Sequence, residues 1–347
     1  MDRWSTERAC DWYARLPWLC GFNYLPRTAV NWTELWQRET FDPATIEQEL
    51  GWARDVGFNS LRTNLQFPVW RDDPDGLRER LDRFLGIATA NGIGTMLCLF
   101  DDCAFSGREP YLGRQDDPIP GVHNSGAAAS PGREVVRDRA RWPELERYVR
   151  DVVTHFRDDA RVLVWDLYNE PGNEAVFTRM TTERDPRGPL VPHSMDLVEA
   201  AFGWARAARP SQPLTTGEWN LDWRERNARL AELSDVASFH NYFGLTRLRA
   251  QVEELRKTGR PLFCTEWLAR GLRSVPATHL PYFKDEKIAC FHWGLVNGRT
   301  QTHLPWPALE QHVPPGQWHH DLFHADGAAY DAGEIDAFRA ALRAPGR

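Results

Sequence analysis

Lysine is almost absent from this sequence. Only Lys257, Lys284 and Lys287 occur among the 347 residues, so arginine supplies nearly all of the positive charge, and the formal net charge is −7. Binding to nucleic-acid phosphates requires a basic surface. The charge balance therefore argues against nucleic acid as a partner.

Long apolar runs and metal-type cysteine spacings are also missing. No segment reaches the roughly 18 apolar residues that span a membrane. The first 12 residues carry five charged side chains and lack the apolar stretch of a signal peptide. The six cysteines show no metal-ligand spacing, and four of them fall in strand-like runs, which is typical of small buried side chains in a reducing compartment. We therefore expect a cytoplasmic protein without a membrane partner.

Segments rich in β-branched and aromatic residues alternate with helical patterns along the whole chain. No glycine-rich phosphate loop follows any of these segments, which argues against a doubly wound nucleotide-binding sheet. The pattern predicts an α/β protein, a single (β/α)8 TIM barrel over residues 1–347. The predicted strands are 18–24, 59–67, 94–100, 162–169, 213–219, 236–243, 261–268 and 288–296.

A long irregular stretch, about 103–139, follows the third predicted strand. It is rich in Gly, Pro, Ser and Asp and has neither helical nor strand periodicity. A loop of this length inside a barrel is usually functional, for example as a lid or a binding loop. The alternative is a disordered surface insertion.

Two predicted strands end in glutamate. Strand four ends in Asn169-Glu170-Pro171, and strand seven ends in Thr265-Glu266-Trp267. The C-terminal ends of barrel strands open on one face, so both carboxyl groups are expected at the same mouth. A carboxyl group at the end of a buried strand is partly dehydrated, which raises its pKa and suits it to donate a proton. Two facing carboxyl groups are the minimum needed to cleave a glycosidic bond. The alternative is that each glutamate only caps a loop.

Other strand ends carry groups that such a site needs. Arg62 on strand two can hold one carboxylate ionised. His240 and Tyr242 on strand six lie two residues apart and therefore share one face. Trp293 on strand eight, one of 16 tryptophans, can stack beneath a sugar ring. Taken singly, each of these residues can equally be part of the core.

This ordered set resembles the clan A glycoside hydrolases, and most of all family 5 with its cellulase-like and xylanase-like relatives. The resemblance implies that Glu170 is the acid/base, that Asn169 binds the sugar 2-hydroxyl and that Glu266 is the nucleophile. It further implies roles around these groups: Arg62 beside the nucleophile, Tyr242 of the His240-x-Tyr242 pair bonded to it, and Trp293 under the −1 sugar.

One position departs from the family pattern. Family 5 enzymes usually carry a histidine at the end of strand three, where this sequence has Asp101-Asp102. We expect these two acids to contact the substrate, together with Trp267 beside Glu266. The departure leaves the identity of the sugar open.

The function predicted from the sequence is that of a retaining β-glycosidase acting on a carbohydrate by double displacement, with no metal or organic cofactor. Three alternatives remain: a transglycosylase acting on short oligosaccharides, a carbohydrate-binding barrel without activity, and a metal-dependent barrel hydrolase. The last would use a late histidine cluster, which we interpret as loop residues. This cluster consists of His319, His320 and His324. The sequence does not indicate an oligomeric state.

Overall fold

A computed structural model describes residues 2–179 and 181–343. Eight parallel strands surround a common axis in the order β5-β4-β3-β2-β1-β8-β7-β6, so the predicted (β/α)8 barrel is confirmed. The strands are β1 (Cys20–Asn23), β2 (Ser60–Asn64), β3 (Gly94–Asp101), β4 (Val162–Asn169), β5 (Leu214–Thr215), β6 (Ala237–His240), β7 (Leu262–Trp267) and β8 (Ala289–Trp293).

The barrel closes between β5 and β6 through an isolated parallel bridge rather than a continuous ladder. Glu218 pairs with Phe239 there. The amide of Glu218 donates to the carbonyl of Ser238 (3.0 Å), and the amide of His240 donates to the carbonyl of Glu218 (2.8 Å). The strand predicted over 213–219 is therefore shorter in the structure, because Thr216 leaves the ladder and its amide donates to the Ser234 hydroxyl instead (3.2 Å).

Helices pack around the strands, and their limits follow local signals. The helix that the sequence predicts after Asp42-Pro43 begins with the Asp42 carboxylate accepting from the Thr45 amide (3.1 Å) and ends at Gly57, whose φ of 106° is left-handed. None of the described helices is long and apolar enough to cross a membrane. The α-helices are Thr6–Ala14, Trp32–Trp36, Pro43–Val56, Phe67–Asp72, Pro74–Ala90, Arg133–Arg137, Trp142–Phe156, Val191–Ala207, Arg224–Leu233, Leu245–Arg256, Pro276–Asp285 and Ala332–Leu342.

The N-terminal end of the barrel is filled by apolar side chains. Met96, Val164 and Phe263 belong to a small buried cluster there. Trp12 and Tyr13, from the first helix, cover it, with ring centroids 6.2 and 5.3 Å from that of Phe263. Because this end is packed, the opposite end, where the C-termini of the strands lie, is the one available for a site.

The loop after β3 is ordered by its neighbours and is not a disordered insertion. The side-chain amide of Asn31, in the loop after β1, donates to the Gln115 side chain (2.9 Å). The backbone amide of Asn124 donates to the carbonyl of Thr300, in the loop after β8 (2.7 Å). A short antiparallel hairpin after β4, Ala175–Phe177 with Thr182–Arg184, was not predicted from the sequence.

Candidate active site

A cavity of about 770 Å³ opens at the C-terminal ends of the strands. This volume lies within the range of about 300–1,000 Å³ that is usual for small-molecule sites. Strand ends form its floor, and the loops after β3, β4, β5 and β8 form its sides. Seven of the residues predicted for the site line it: Asp101, Asn169, Glu170, His240, Tyr242, Glu266 and Trp293.

The two glutamates lie side by side at the floor of this cavity, although they are 96 residues apart in sequence (266 − 170). The His240 ring joins them: its Nδ1 is 2.9 Å from Glu170 Oε1 and 3.4 Å from Glu266 Oε2. A carboxylate oxygen of each glutamate and a ring nitrogen of His240 all lie within 4.8 Å of one another. Burial lowers the pKa of His240 to about 4, so its ring is neutral at pH 7.

Glu266 is held by a cation and a phenol. Its Oε1 accepts from Arg62 Nη1 (3.0 Å), and its Oε2 accepts from the Tyr242 hydroxyl (2.6 Å). Burial raises the pKa of Glu266 and the nearby charge of Glu170 adds to this, while Arg62 and the Tyr242 hydrogen bond act in the opposite direction. These contacts favour the ionised carboxylate that a nucleophile requires.

Glu170 has a different set of partners. Its Oε2 accepts from Asn173 Nδ2 (2.6 Å) and from the Cys103 thiol (3.2 Å). Burial raises its pKa, and the two hydrogen bonds only partly oppose that shift. Neither of these direct donors carries a charge, so Glu170 is better placed than Glu266 to retain a proton near neutral pH.

Arg62 lies beneath the cavity and is only 1% exposed. Its Nε and Nη2 both donate to Asp166 Oδ2 (2.9 and 2.7 Å), and Nη2 also donates to Asn169 Oδ1 (2.7 Å). Nη1 donates to Asn23 Oδ1 (2.8 Å) as well as to Glu266. Arg62 thus orients Glu266 and Asn169 from behind and does not itself line the cavity.

Asp101 fixes the other side of Asn169. Its Oδ1 accepts from Asn169 Nδ2 (2.8 Å), and its Oδ2 accepts from Asn64 Nδ2 (3.0 Å). Burial raises the pKa of Asp101 to about 6. The side-chain amide of Asn169, which lines the cavity, is consequently held through both its oxygen and its nitrogen.

The prediction of a substrate contact is wrong for Asp102 and Trp267. Asp102 is fully buried and accepts from the Tyr168 hydroxyl (2.7 Å) and the Gly172 amide (2.6 Å), so it anchors the loop after β4. Trp267 is also buried and stacks on His279, with centroids 5.7 Å apart, between the barrel and its outer helices. Successive side chains of a strand point to opposite faces. Asp101 and Glu266 face the cavity, so their immediate neighbours face away.

The structure also brings in residues that the sequence analysis missed. Asn23 and Asp166 bind Arg62, while Cys103 and Asn173 bind Glu170. One of them left a signal in the sequence: Asp166 is an acid inside an apolar strand, and a buried charge of that kind requires a partner.

The histidines of the metal-dependent alternative do not form a metal site in the described part of the chain. The rings of His319 and His320 are in contact and tilted, with centroids 4.4 Å apart, whereas His324 is exposed and packs on Trp318. The group whose donor atoms do come together is Glu170, His240 and Glu266. Arg62 already places a positive charge against that group, which suits acid/base chemistry better than cation binding.

A sequence model of glycosyl hydrolase family 10 matches residues 133–241, which include β4, Glu170 and β6. No curated protein shows significant sequence similarity to the chain. Several solved structures are similar. A GH5_18 variant from Streptomyces cattleya in complex with Manβ1-4GlcNAc is 14% identical, with a TM-score of 0.62 over 93% of this chain and 79% of that one.

Two further structures belong to enzymes acting on polymers. The endo-β-1,4-mannanase from Thermotoga petrophila is 15% identical, with a TM-score of 0.58 over 93% of this chain and 76% of that one. The endo-β-1,4-glucanase Xac0029 from Xanthomonas axonopodis pv. citri is 11% identical, with a TM-score of 0.57 over 94% and 98%. At this level of identity the structures establish a shared fold.

The family 10 match over residues 133–241 and the barrel shared with the GH5_18 structure both support a clan A glycoside hydrolase. The resemblance to this clan that the sequence motifs predict is therefore confirmed.

Proposed function

We propose that the protein is a retaining β-glycoside hydrolase in which Glu266 is the nucleophile and Glu170 the acid/base. The observation that carries the proposal is that one carboxylate oxygen of each glutamate lies within 4.8 Å of the other, with Glu266 bound by Arg62 and Tyr242 and Glu170 bound by uncharged donors. A retaining pair is about 5–5.5 Å apart, whereas an inverting pair needs roughly 6.5–9.5 Å to admit a water molecule.

In the first step, a Glu266 carboxylate oxygen attacks the anomeric carbon. The bond to the glycosidic oxygen breaks, and Glu170 transfers its proton to that oxygen, which leaves as an alcohol. Arg62 and Tyr242 hold the attacking carboxylate in a fixed orientation, so little reorganisation is needed as its charge is lost. The product of this step is a glycosyl ester on Glu266.

In the second step, Glu170 acts as a base. Its carboxylate removes a proton from water, the water oxygen attacks the anomeric carbon, and the ester bond to Glu266 breaks. The sugar is released with its original anomeric configuration, and both glutamates return to their starting protonation states.

β-Mannosides and β-glucosides are the first substrates to test. The similar structures include a mannanase, a glucanase and a complex with Manβ1-4GlcNAc. A panel of 4-nitrophenyl β-glycosides of mannose, glucose, galactose, xylose and fucose, followed by proton NMR of the first anomer released, tests the proposal directly. Release of the β-anomer is expected. An α-anomer as first product would show inversion, and binding without turnover of any glycoside would favour the carbohydrate-binding alternative.

Glu170→Gln is expected to separate the two roles of this residue. Turnover of a 4-nitrophenyl or alkyl glycoside should fall by about 10²–10⁴-fold, because the leaving oxygen is no longer protonated. Glycosylation by a 2,4-dinitrophenyl glycoside, whose leaving group needs no proton, should change little. The measurement is kcat/KM against leaving-group pKa. Glu218→Gln is the control, since Glu218 is a largely buried glutamate bound to Gln251 (2.6 Å) outside the cavity. An equal loss on both substrates would contradict the acid role.

The Cys103 thiol is expected to influence the alkaline limit of activity. Its hydrogen bond favours ionised Glu170, so removal in Cys103→Ala should raise the pKa of Glu170 and shift the alkaline limb of the kcat/KM profile to higher pH. Cys103→Ser retains a donor and should remain near the wild-type profile. Cys10→Ala, at an exposed cysteine, is the control. Identical alkaline limbs for Cys103→Ala and the wild type would refute this role.

A further inference from the structure

The cavity is closed on one side and open on the other. Side chains that line it from the loops after β3 and β8 are buried: His123 is 2% exposed, Thr302 3% and His320 0%. On the opposite side, the lining residue Leu221 after β5 is 42% exposed, and the hairpin strand Thr182–Arg184 is exposed throughout. This asymmetry suits a substrate that enters from the open side and ends against the buried one.

Three loops tied to one another form the closed side, which we call the loop wall (residues 25–37, 103–127 and 294–321). Gln301 Nε2 donates to the Ile119 carbonyl (2.8 Å), and Gln301 Oε1 accepts from the Gly121 amide (3.0 Å). Arg299 binds both Asp117 (3.1 Å) and Glu34 (2.6 Å). Because these contacts link all three loops, the loop wall forms one continuous boundary of the cavity.

The positions of the catalytic groups give the direction of the substrate. Glu170, the proposed proton donor, lies at the end of β4, so the leaving group departs toward β4 and β5. Trp219 and Trp223 stand on that open side with ring centroids 5.0 Å apart, and Trp219 is fixed by its bond to the Pro171 carbonyl (3.2 Å). Trp293 lies toward β8 and β1, where it packs on Trp32 (6.4 Å). The sugar that is cleaved off therefore occupies the side of the loop wall.

Two imidazoles lie in the loop wall, and one of them offers a hydrogen-bond acceptor to that sugar. His320 Nδ1 bonds to the Leu268 carbonyl, and His123 Nδ1 bonds to the Leu304 carbonyl (2.8 Å). A carbonyl only accepts, so both protons are on Nδ1 and both Nε2 atoms are acceptors. His320 Nε2 is buried without a hydrogen-bond partner among the described residues, so it is sealed from the cavity. His123 also lines the cavity and keeps 2% of its surface exposed, so its Nε2 is the acceptor that a substrate can reach. Burial lowers the pKa of both rings, to about 4 for His123 and well below the usual value for His320, so both are neutral.

An acceptor of this kind requires a donor, which a sugar hydroxyl supplies. We propose that the site is an exo-acting pocket that takes one terminal sugar, with a hydroxyl donating to His123 Nε2, and releases it as a monosaccharide. The aglycone lies on the open side against Trp219 and Trp223. This inference rests on the proposed glycosidase function and adds the position of cleavage and a contact with the terminal sugar.

Product analysis tests the position of cleavage. With β-1,4-linked tetrasaccharides of mannose, glucose and xylose labelled at the reducing end, the labelled product is expected to shorten by one sugar at a time, and free monosaccharide should be the only unlabelled product. Direct release of a labelled mono- or disaccharide from the tetrasaccharide would overturn the exo assignment while the hydrolase proposal stands. Absence of turnover on every glycoside would overturn both.

A variant tests the contact with His123. His123→Phe keeps a ring of similar size but removes the acceptor, and kcat/KM on the aryl glycoside should fall about tenfold or more. On the wild-type enzyme, one of the 3-, 4- or 6-deoxy aryl glycosides should show a similar fall in kcat/KM. On the variant, removing that same hydroxyl should cause little further fall. His155→Phe, at an exposed histidine on an outer helix, is the control. Additive losses for all three deoxy sugars would overturn the contact.

Discussion

Replacing Glu266 by glutamine is expected to lower kcat on an activated aryl β-glycoside by on the order of 10⁴-fold or more. The amide retains the size of the side chain but cannot form the glycosyl ester, so no covalent intermediate is available. An activated leaving group cannot compensate, in contrast to Glu170→Gln, because attack on the anomeric carbon itself is lost. The measurement is steady-state turnover of a 2,4-dinitrophenyl glycoside, with Glu218→Gln as the matched buried-glutamate control.

A second result for the same residue identifies its role positively. Glu266→Ala leaves a space beside Arg62 and Tyr242, and added azide can attack the anomeric carbon from that side. The expected product is an α-glycosyl azide, since only one displacement then occurs. A Glu266→Gln enzyme with near wild-type turnover, or a β-glycosyl azide from Glu266→Ala, would contradict the assignment of the nucleophile.

Removing Arg62 is expected to have the largest effect on stability. In Arg62→Met, the buried Asp166 and Glu266 lose their cation, and breaking a buried ion pair by removing one partner costs about 3–5 kcal/mol. The free energy of unfolding, from urea titration monitored by tryptophan fluorescence, measures this cost. Arg150→Met is the control, because the exposed Arg150–Glu146 pair (2.9 Å) on an outer helix should contribute no more than about 1 kcal/mol.

The stability loss in Arg62→Met should also depend on pH. Burial raises the pKa of Asp166, and Arg62 opposes that rise, so without Arg62 the folded-state pKa moves further above the unfolded value. A carboxyl group with a raised folded-state pKa is best tolerated when protonated, and stability is lost as pH rises above the unfolded pKa. The difference between variant and wild type should therefore be smaller at pH 4 than at pH 7. A pH-independent loss below about 1 kcal/mol would refute the buried-pair account.

The barrel and the glutamate pair could be predicted because both follow from simple periodicity. The chain alternates strand and helix patterns, and the C-terminal ends of parallel barrel strands open on one face, which brings Glu170 and Glu266 together. The orientation of adjacent residues was harder to predict. Both Asp101 and Asp102 end the same strand, and nothing in the sequence states which one faces the cavity; Trp267 was misassigned for the same reason.

Contacts made by irregular segments could not be predicted at all. Cys103 and Asn173 reach Glu170 from loops whose paths depend on many tertiary contacts. The loop wall likewise depends on individual pairs such as Gln301 with Ile119, and its amino-acid composition indicated only a loop or an insertion. Periodicity carries information on regular elements, whereas loop geometry is set by packing.

The isolated bridge that closes the barrel has a consequence for the working cycle. Local opening costs least where few backbone hydrogen bonds must break. Among the described residues the seam between β5 and β6 holds one bridge pair, Glu218–Phe239, and a bond from the Asp235 amide to the Leu214 carbonyl (2.8 Å). Trp219 follows the bridge on one side and His240 follows it on the other. We therefore expect opening at this seam to widen the exit beside the departing alcohol, while the sugar stays on Glu266 of β7, within the continuous ladder of strands.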